Sequence, residues 1–374
     1  QHYEKQRAIG ELIQEYLEGL PPGKLDEKSK EFSELNENFY KEIAKERDKT
    51  MINKISIDKL KIEFESSGEV PGHVLNQFSM DEYKGNFRIA TTSGDFWRGE
   101  SLNNLYILNK NLKMLGKVEG LAKGEKIYSA RFMGEKAYIV TFKKVDPLFV
   151  IDVSNPEDPK VLGYLKITGY SDYLQPFDEN HVIGIGKEAI DASEEQVEQR
   201  NLEFAWYQGV KVSLFDVSDF ENPKEIDKVV VGDRGTDSDA LRDHKAVLFD
   251  KEKNLLVIPI TLAEFNETKL NQQYNGNIPS WAYGGIVWEG AYVFEITENN
   301  LDVKGKITHN EARAVTEYGY SYFPYENKIY RSLYMDNVLY TVSNKMIKAN
   351  SLSDLGELNK VKLPFSEERN YIAY

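Results

Sequence analysis

The sequence predicts an all-β protein of the β-propeller class. Its 374 residues are 41 % hydrophobic and include 23 Tyr and 18 Phe, and this aromatic richness favours strands over helical bundles. A short apolar strand that ends in Asp, Asn or Glu, followed by a turn and a second strand, recurs at intervals of 43 to 79 residues. The shortest interval approaches the ~40–50 residues of a four-stranded propeller blade, and one all-β domain can take up a chain of this length.

Two copies of the repeat align without a gap. Asp152-Val153-Ser154 is followed by Pro159-Lys160, and Asp216-Val217-Ser218 by Pro223-Lys224. Weaker copies end at Asp58, Asn109, Glu295 and Asn350. Self-similarity at such a period is typical of an architecture built from one repeated structural unit.

The intervals between the repeats hold strands in a constant order, labelled a to d from the innermost outward. In the second blade, strands a, b and c are predicted at 127–132, 136–142 and 148–152, because alternating apolar residues there are bounded by turn residues. Full blades are predicted at 74–120, 127–168, 171–231, 238–309 and 318–362. Strands c and d of a further blade are expected at 51–69, with 368–374 as the inner strand that closes the ring. Six blades are therefore predicted, or seven and more if further sequence precedes this chain.

The first 49 residues show a different pattern. Apolar residues fall at helical spacing in two runs, 9–20 and 32–43, with Pro21-Pro22-Gly23 between them. A helical hairpin or insertion is therefore expected over 1–49, ahead of a propeller over 50–374 that carries long b–c insertions at 187–209 and 262–289.

Charge and composition exclude several classes of function. The 61 Asp and Glu outnumber the 47 Lys and Arg, which gives a net charge of −14 and argues against nucleic-acid binding. The absence of cysteine excludes disulfides, thiolate zinc sites and cysteine nucleophiles. The longest apolar stretch, Leu255–Ala263, is about half of the ~20 residues that span a bilayer. A chain that begins at Gln1 is expected to be a processed form or a piece of a longer precursor, and its low Met and high Glu and Lys content points to a thermophile.

One further motif has the form of a dinucleotide-binding pattern. Gly184-Ile185-Gly186 follows a predicted strand and formally opens a GxGxxA pattern. The surrounding repeat is antiparallel and has no βαβ unit, which dinucleotide binding requires. Nucleotide binding is therefore not expected.

Three segments carry a resemblance to a known family: VPGHVLNQFSMDEYKGNFRIATT at 70–92, GYSDYLQPFDENHVIGIGKE at 169–188, and VGDRGTDSDALRDHKAVLFDKEKNLLVIPI at 231–260. They resemble secreted archaeal and bacterial proteins with a C-terminal β-propeller domain distantly related to WD repeats. The strand-c repeat is also similar to the LVIVD type. The resemblance implies an extracellular or cell-surface propeller, and it supplies no catalytic residues.

A candidate binding face follows from strand direction. Because strands alternate in direction within a blade, the d–a and b–c connections emerge on one face. The insertions at 187–209 and 262–289 and the loop at 91–104 all join strands b and c. The candidate binding residues in them are Trp97, Trp206, Tyr207, Trp281, Tyr283 and Trp288. Aromatic side chains on loops suit a protein or glycan ligand, and the alternative is that they anchor the insertions onto the propeller.

An acidic loop is a second candidate. Asp233, Asp237 and Asp239 are spaced as in an oxygen-rich loop that wraps a hard cation such as Ca²⁺. Ser238 and His244 stand where an EF-hand has glycine and the bidentate glutamate, so the loop is not an EF-hand. The alternative is a capped turn in which aspartates accept backbone N–H groups and Arg234 pairs with one of them.

These observations favour a non-enzymatic extracellular or cell-surface binding module that presents its loop-bearing face to a protein, a glycan or a neighbouring subunit. The alternative is a calcium-dependent propeller enzyme, a lactonase-like hydrolase or lyase that uses the loop at 233–239. A third possibility is a structural module in which the helical hairpin mediates oligomerisation. The fold alone does not choose between them, because propellers host both binding and catalysis.

Overall fold

The computed structural model describes residues 48–96, 99–142, 145–200, 204–266, 274–275, 278–310, 314–315 and 321–364, together with isolated positions before residue 48. The chain divides into two compact units, Gln1–His73 and Val74–Tyr374. In the first unit, β1 (Lys49–Asp58) and β2 (Lys61–Pro71) form an antiparallel hairpin, where strands c and d of a further blade are predicted. The short strand β3 (His73–Val74) follows.

The described part of the second unit contains four four-stranded antiparallel sheets and one sheet with five strands, which includes the short β3. We call these five sheets blades 1 to 5. Each blade is a meander in which consecutive strands pair. Blade 1 holds β4 (Met80–Tyr83), β5 (Asn86–Ser93), β6 (Leu102–Leu108) and β7 (Met114–Leu121). Blade 2 holds β8 (Lys126–Met133), β9 (Lys136–Phe142), β10 (Val145–Asp152) and β11 (Lys160–Thr168).

The remaining blades follow the same order along the chain. Blade 3 holds β12 (Tyr170–Pro176), β13 (His181–Asp191), β14 (Ala205–Asp216) and β15 (Lys224–Val231), with helix α1 (Glu194–Arg200) between β13 and β14. Blade 4 holds β16 (Leu248–Asp250), β17 (Leu255–Glu264), β18 (Gly285–Ile296) and β19 (Leu301–Ile307). After the small hairpin of β20 (Ala314–Val315) and β21 (Ser321–Tyr322), blade 5 holds β22 (Arg331–Met335), β23 (Val338–Val342), β24 (Met346–Ser351) and β25 (Glu357–Lys362).

The repeat marks the turn between the third and fourth strands. The Asp152 carboxylate accepts the N–H of Ser154 at 2.9 Å, and the Asp216 carboxylate accepts that of Ser218 at 2.8 Å. Beside this turn the pairing of the third and fourth strands shifts register in all five blades, which adds local twist. The repeat is thus a capped turn next to a β-bulge.

Glycines in the fourth strands let neighbouring blades approach. A Cβ on Gly116 would lie 2.4 Å from the carbonyl oxygen of Pro156, in the marked turn of blade 2. A Cβ on Gly163 would lie 2.5 Å from the carbonyl oxygen of Glu221, in the same turn of blade 3. Real Cβ atoms do not tolerate such distances, so β7 and β11 need glycine where the next blade's turn packs on them.

The predicted start of blade 4 is wrong. The sequence places the start of this blade at residue 238, whereas its first strand, β16, starts at Leu248. Residues 239–241 and 244–246 form two 3₁₀ turns, because the side chains of Ser238 and Asp243 accept the N–H groups of Ala240 and Lys245. Side-chain capping of this kind competes with strand formation.

Two predictions concern mainly residues outside the described part of the chain. The closing strand at 368–374 lies there, as does most of the helical hairpin predicted over 1–49. The described positions 12, 16, 24, 28, 30–32 and 35 have helical conformation, and the rings of Tyr16 and Phe32 meet edge to face at 5.8 Å. These isolated positions do not establish a hairpin.

Candidate functional site

The first insertion lengthens blade 3. Strands β13 and β14 continue to pair as far as Asp191 and Ala205, and α1 fills the connection between them. Trp206 is half-buried there, with its indole N–H donating to the side chain of Gln196 on α1 at 3.0 Å. The insertion is therefore an ordered extension of the sheet, and it presents the adjacent Tyr207 with 37 % of its surface exposed.

Arg234 joins the two insertions. It donates hydrogen bonds to the carbonyl oxygen of Tyr207 at 2.8 Å and to the hydroxyl of Tyr283 at 3.0 Å. Its guanidinium carbon also lies 4.3 Å from the ring centre of Tyr283 and 5.0 Å from that of Trp206, which is cation–π geometry. The interpretation of the acidic loop in which Arg234 pairs with one of its aspartates is wrong, because the hydrogen-bond partners of Arg234 lie in the two insertions.

The aromatic contacts continue across blade 2. The hydroxyls of Tyr128 and Tyr207 lie 3.2 Å apart. The ring of Tyr170 is 4.5 Å from that of Tyr128 and 5.0 Å from that of Tyr207. We call the set Tyr128, Tyr170, Trp206, Tyr207, Arg234 and Tyr283 the aromatic band. It crosses the loop-bearing ends of blades 2, 3 and 4, and Tyr283 is its most exposed member at 68 %.

The other predicted aromatic residues have different surroundings. Trp281 is 43 % exposed and its ring meets that of Tyr274 edge to face at 5.9 Å. Trp288 packs partly buried against the core of blades 3 and 4, with its ring 5.3 Å from that of Tyr292, so it matches the anchoring interpretation. Trp97 lies outside the described residues.

The structure does not bring the three aspartates of the acidic loop together around one point. Asp237 binds the Arg242 guanidinium through both carboxylate oxygens, at 3.1 and 2.6 Å. Asp239 pairs with Lys328 of the segment before blade 5 at 2.8 Å. Asp233 accepts the backbone N–H of Phe265 at 2.7 Å. Among the described residues, no three acidic or histidine side chains form a group that could hold a metal ion.

Burial shifts several ionisable groups beside this loop. It raises the pKa of Asp172, on β12, to about 7, partly offset by Lys187 and Arg242. Burial also lowers the pKa of Lys187, against the opposing effect of Asp237, whose carboxylate lies 3.8 Å away. For Asp237, burial alone would raise the pKa, but the hydrogen bonds from Arg242 outweigh it and lower the pKa. These charges therefore form an interdependent set.

A second cation–aromatic cluster joins the first strands of blades 2 and 3 to the 3₁₀ turns that precede the first strands of blades 1 and 4. The Arg131 guanidinium carbon of β8 lies 4.1 Å from the ring centre of Phe78 and 5.2 Å from that of Tyr173. The Phe78 ring meets the imidazole of His244 at 4.9 Å, and the Nε of Arg131 donates to the carbonyl oxygen of Leu174. Burial lowers the pKa of Arg131. Because these groups are largely enclosed by one another, we assign them a packing role.

Sequence reasoning missed several of these residues. Tyr128 and Tyr170 belong to first strands, where a tyrosine fits any alternating pattern. Lys328 lies far along the chain from the aspartate that it binds. The available signal is positional, since both tyrosines occur near the start of a first strand, at the end that carries the insertions.

Two relatives of the chain come from archaea. An uncharacterised protein of Methanocaldococcus jannaschii is 36 % identical over 367 residues, which cover 98 % of this chain and 48 % of that protein. An uncharacterised protein of Archaeoglobus fulgidus is 41 % identical over 223 residues, which cover 60 % of this chain and 32 % of that protein. The chain thus spans about half and about a third of the length of these relatives.

The solved structures that are similar to this chain are distant from it in sequence. BamB from Moraxella catarrhalis shares 10 % identity at a TM-score of 0.40, with 83 % of this chain and 74 % of that chain covered. Apo AztD from Citrobacter koseri shares 10 % identity at a TM-score of 0.41, with 82 % of this chain and 70 % of that chain covered.

In the described part of this chain, no helix is long and apolar enough to cross a membrane.

The family is shown by sequence and agrees with the sheets. The profile of the beta propeller domain matches residues 13–355, most of the chain. The five four-stranded meanders of the second unit are the repeated unit that a propeller requires. The predicted all-β propeller class is thereby confirmed, and the chain belongs to the β-propeller domain family.

Proposed function

We propose that the protein is a non-enzymatic binding module, located outside the cell or on its surface, that holds a partner protein against the aromatic band. The observation that carries this proposal is the arrangement around Arg234, which holds Tyr207 and Tyr283 in place while leaving both exposed. Tyrosine, tryptophan and arginine are the residues that most often dominate binding energy at protein interfaces.

The aromatic band is already held in place before a partner binds, and this favours tight binding of the partner. Immobilising a flexible side chain on binding costs about 0.5–1.5 kcal/mol. Trp206 is already tied to α1, and Gln208 donates to the carbonyl oxygen of Ser280 in the other insertion at 3.0 Å. A partner therefore meets a surface whose two insertions are joined before binding. A glycan or a second copy of the chain is the competing partner.

The proposal includes finer points of architecture and location. We propose that the chain has six blades, LVIVD-like repeats and a helical hairpin over residues 1–49. The proposed extracellular location rests on the resemblance of its repeats to those of secreted proteins. Protease accessibility of the protein on intact cells tests the location: a protein that is degraded only after lysis contradicts it.

A calcium-dependent lactonase-like hydrolase or lyase is the alternative that the acidic loop suggested. That chemistry needs Asp233, Asp237 and Asp239 to converge on one cation with an open coordination position. Asp237 instead pairs with Arg242, and Asp239 pairs with Lys328. Because basic side chains already bind these two carboxylates, the arrangement supports the binding module over the calcium-dependent enzyme.

Comparative capture tests the proposal. Wild-type protein, Tyr283→Ala and the matched control Tyr164→Ala, whose tyrosine is 56 % exposed on an outer strand of blade 2, are immobilised and exposed to envelope and secreted fractions of the producing cells. We expect the same protein to be retained by wild type and by Tyr164→Ala and to be lost with Tyr283→Ala. Equal retention by all three variants, or retention of no protein, overturns the proposal.

A further inference from the structure

A polar cavity lies apart from the aromatic band, where the segment between blades 3 and 4 meets the segment before blade 5. It has a volume of about 400 Å³, within the range of about 300–1,000 Å³ that is typical of small-molecule sites. Residues 239–243 form one wall and residues 325–331 the other, and Asn344 adds an exposed amide.

The charged groups of the cavity neutralise one another in pairs. Lys328 lies 2.8 Å from a carboxylate oxygen of Asp239, and Arg331 lies 2.6 Å from a carboxylate oxygen of Asp243. Arg242, the remaining cation of the wall, is held by Asp237. An ion with a strong net charge would have to break such pairs, which is costly. The cavity therefore favours a ligand without net charge.

The same pairs keep hydrogen-bonding capacity of both kinds. An arginine carries five N–H donors, and Arg331 uses one on Asp243 and one on the carbonyl oxygen of Tyr330. Within the described residues, the second carboxylate oxygen of Asp239 accepts no hydrogen bond. Asn344 offers a donor group and an acceptor group side by side. A wall that alternates donors and acceptors matches hydroxyl groups, because each hydroxyl both donates and accepts.

Two tyrosines give the cavity an apolar side. Tyr325 is 67 % exposed and Tyr330 is 36 % exposed, although large aromatic side chains are usually well buried. The Tyr330 ring lies 5.8 Å from the guanidinium carbon of Arg331, and the largely exposed Tyr325 ring can pack against a ligand. A pyranose ring has a face of C–H groups and an edge of hydroxyls, and it would use both sides of this cavity.

From this combination we infer that the cavity is a binding site for a neutral sugar of one or two rings. The hydroxyls bind between Asp239, Arg331 and Asn344, and the C–H face packs on Tyr325. The inference does not depend on the aromatic band, since the two sites share no residue.

Saturation-transfer NMR of the full chain tests this inference. The probes are glucose, galactose, mannose, N-acetylglucosamine and maltose, with inorganic phosphate as an anionic competitor. We expect transfer to at least one of the sugars, with phosphate failing to displace it. Asn344→Ala and Tyr325→Ala should each weaken binding about tenfold, since they remove a hydrogen-bonding group and a stacking surface.

Matched variants keep the test decisive. Tyr164→Ala removes a tyrosine of similar exposure from blade 2, and Tyr283→Ala removes one from the aromatic band, so both should bind the sugar as wild type does. Tyr325 and Asn344 are both exposed, so melting temperatures should stay close to that of wild type and confirm folding. Absence of transfer to every sugar, displacement by phosphate, or unchanged binding by Tyr325→Ala and Asn344→Ala overturns the inference.

Discussion

Replacing Arg234 by methionine should loosen the junction between the two insertions. The change keeps a long side chain but removes the hydrogen bonds to Tyr207 and Tyr283 and the cation–π contacts with Trp206 and Tyr283. At about 1 kcal/mol per hydrogen bond and about 0.5–1 kcal/mol per exposed cation–π contact, the loss is about 3 kcal/mol. The Nε of Arg234 is buried without a partner, and removing it returns part of that cost, which leaves about 2 kcal/mol.

A double-mutant cycle with Tyr283→Phe isolates the contact. Tyr283→Phe keeps the ring and deletes only the hydroxyl that accepts from Arg234. Urea unfolding of wild type, Arg234→Met, Tyr283→Phe and the double variant should give a coupling of about 1 kcal/mol, because the two changes remove the same hydrogen bond. Acrylamide quenching of tryptophan fluorescence should also rise in Arg234→Met, since Arg234 covers Trp206.

Arg242→Met is the matched control for that experiment. Its guanidinium pairs with Asp237 in the same connection between blades 3 and 4, and the described contacts of Arg242 include no tryptophan. Quenching should therefore stay at the wild-type level in this variant. Energies that add within about 0.3 kcal/mol in the Arg234–Tyr283 cycle, or equal quenching in Arg234→Met and Arg242→Met, would refute the assigned role of Arg234.

Three further outcomes are expected. Because the pKa of Asp172 is raised to about 7, the folded protein keeps a proton that the unfolded chain releases above about pH 4. Asp172→Asn should therefore exceed wild type in stability increasingly from pH 4 to 8, by up to about 4 kcal/mol in urea titrations. A difference that stays constant with pH would contradict this. Gly186→Ala would place a Cβ 1.8 Å from a backbone oxygen and should lower stability by at least about 1–3 kcal/mol, whereas Gly285→Ala, with open space around its Cβ, should not. Calcium followed by chelator should leave the melting temperature unchanged, because cations and a backbone N–H already engage the acidic loop, and a shift of several degrees would show otherwise.

The sequence predicted the blades well because their signals are local. A capped turn at Asp152 or Asp216, and alternating residues in the strands on either side, depend on neighbours within a few positions. The three strands predicted for blade 2 at 127–132, 136–142 and 148–152 therefore correspond to β8, β9 and β10. The start of blade 4 was misplaced for an equally local reason, since Ser238 and Asp243 are as suited to capping a 3₁₀ turn as to preceding a strand.

The sites were harder to predict because their contacts join distant parts of the chain. From sequence spacing, Arg234 has carboxylates as near neighbours, yet Arg242 occupies Asp237 and Arg234 binds Tyr207 and Tyr283 instead. The pairing of Arg331 with an aspartate 88 positions away likewise depends on the order of the blades. A single sequence indicates which residue types are present but not which of these pairs will form.

Photo-crosslinking from position 283 tests the central claim most directly. A photoreactive phenylalanine analogue replaces Tyr283 in one sample and Tyr164 in the other, and both proteins are irradiated in producing cells. If the aromatic band holds a partner protein, crosslinking from position 283 gives one discrete heavier species that is absent for position 164. Equal labelling from both positions, or no crosslinked species from position 283, would contradict a binding role for this face.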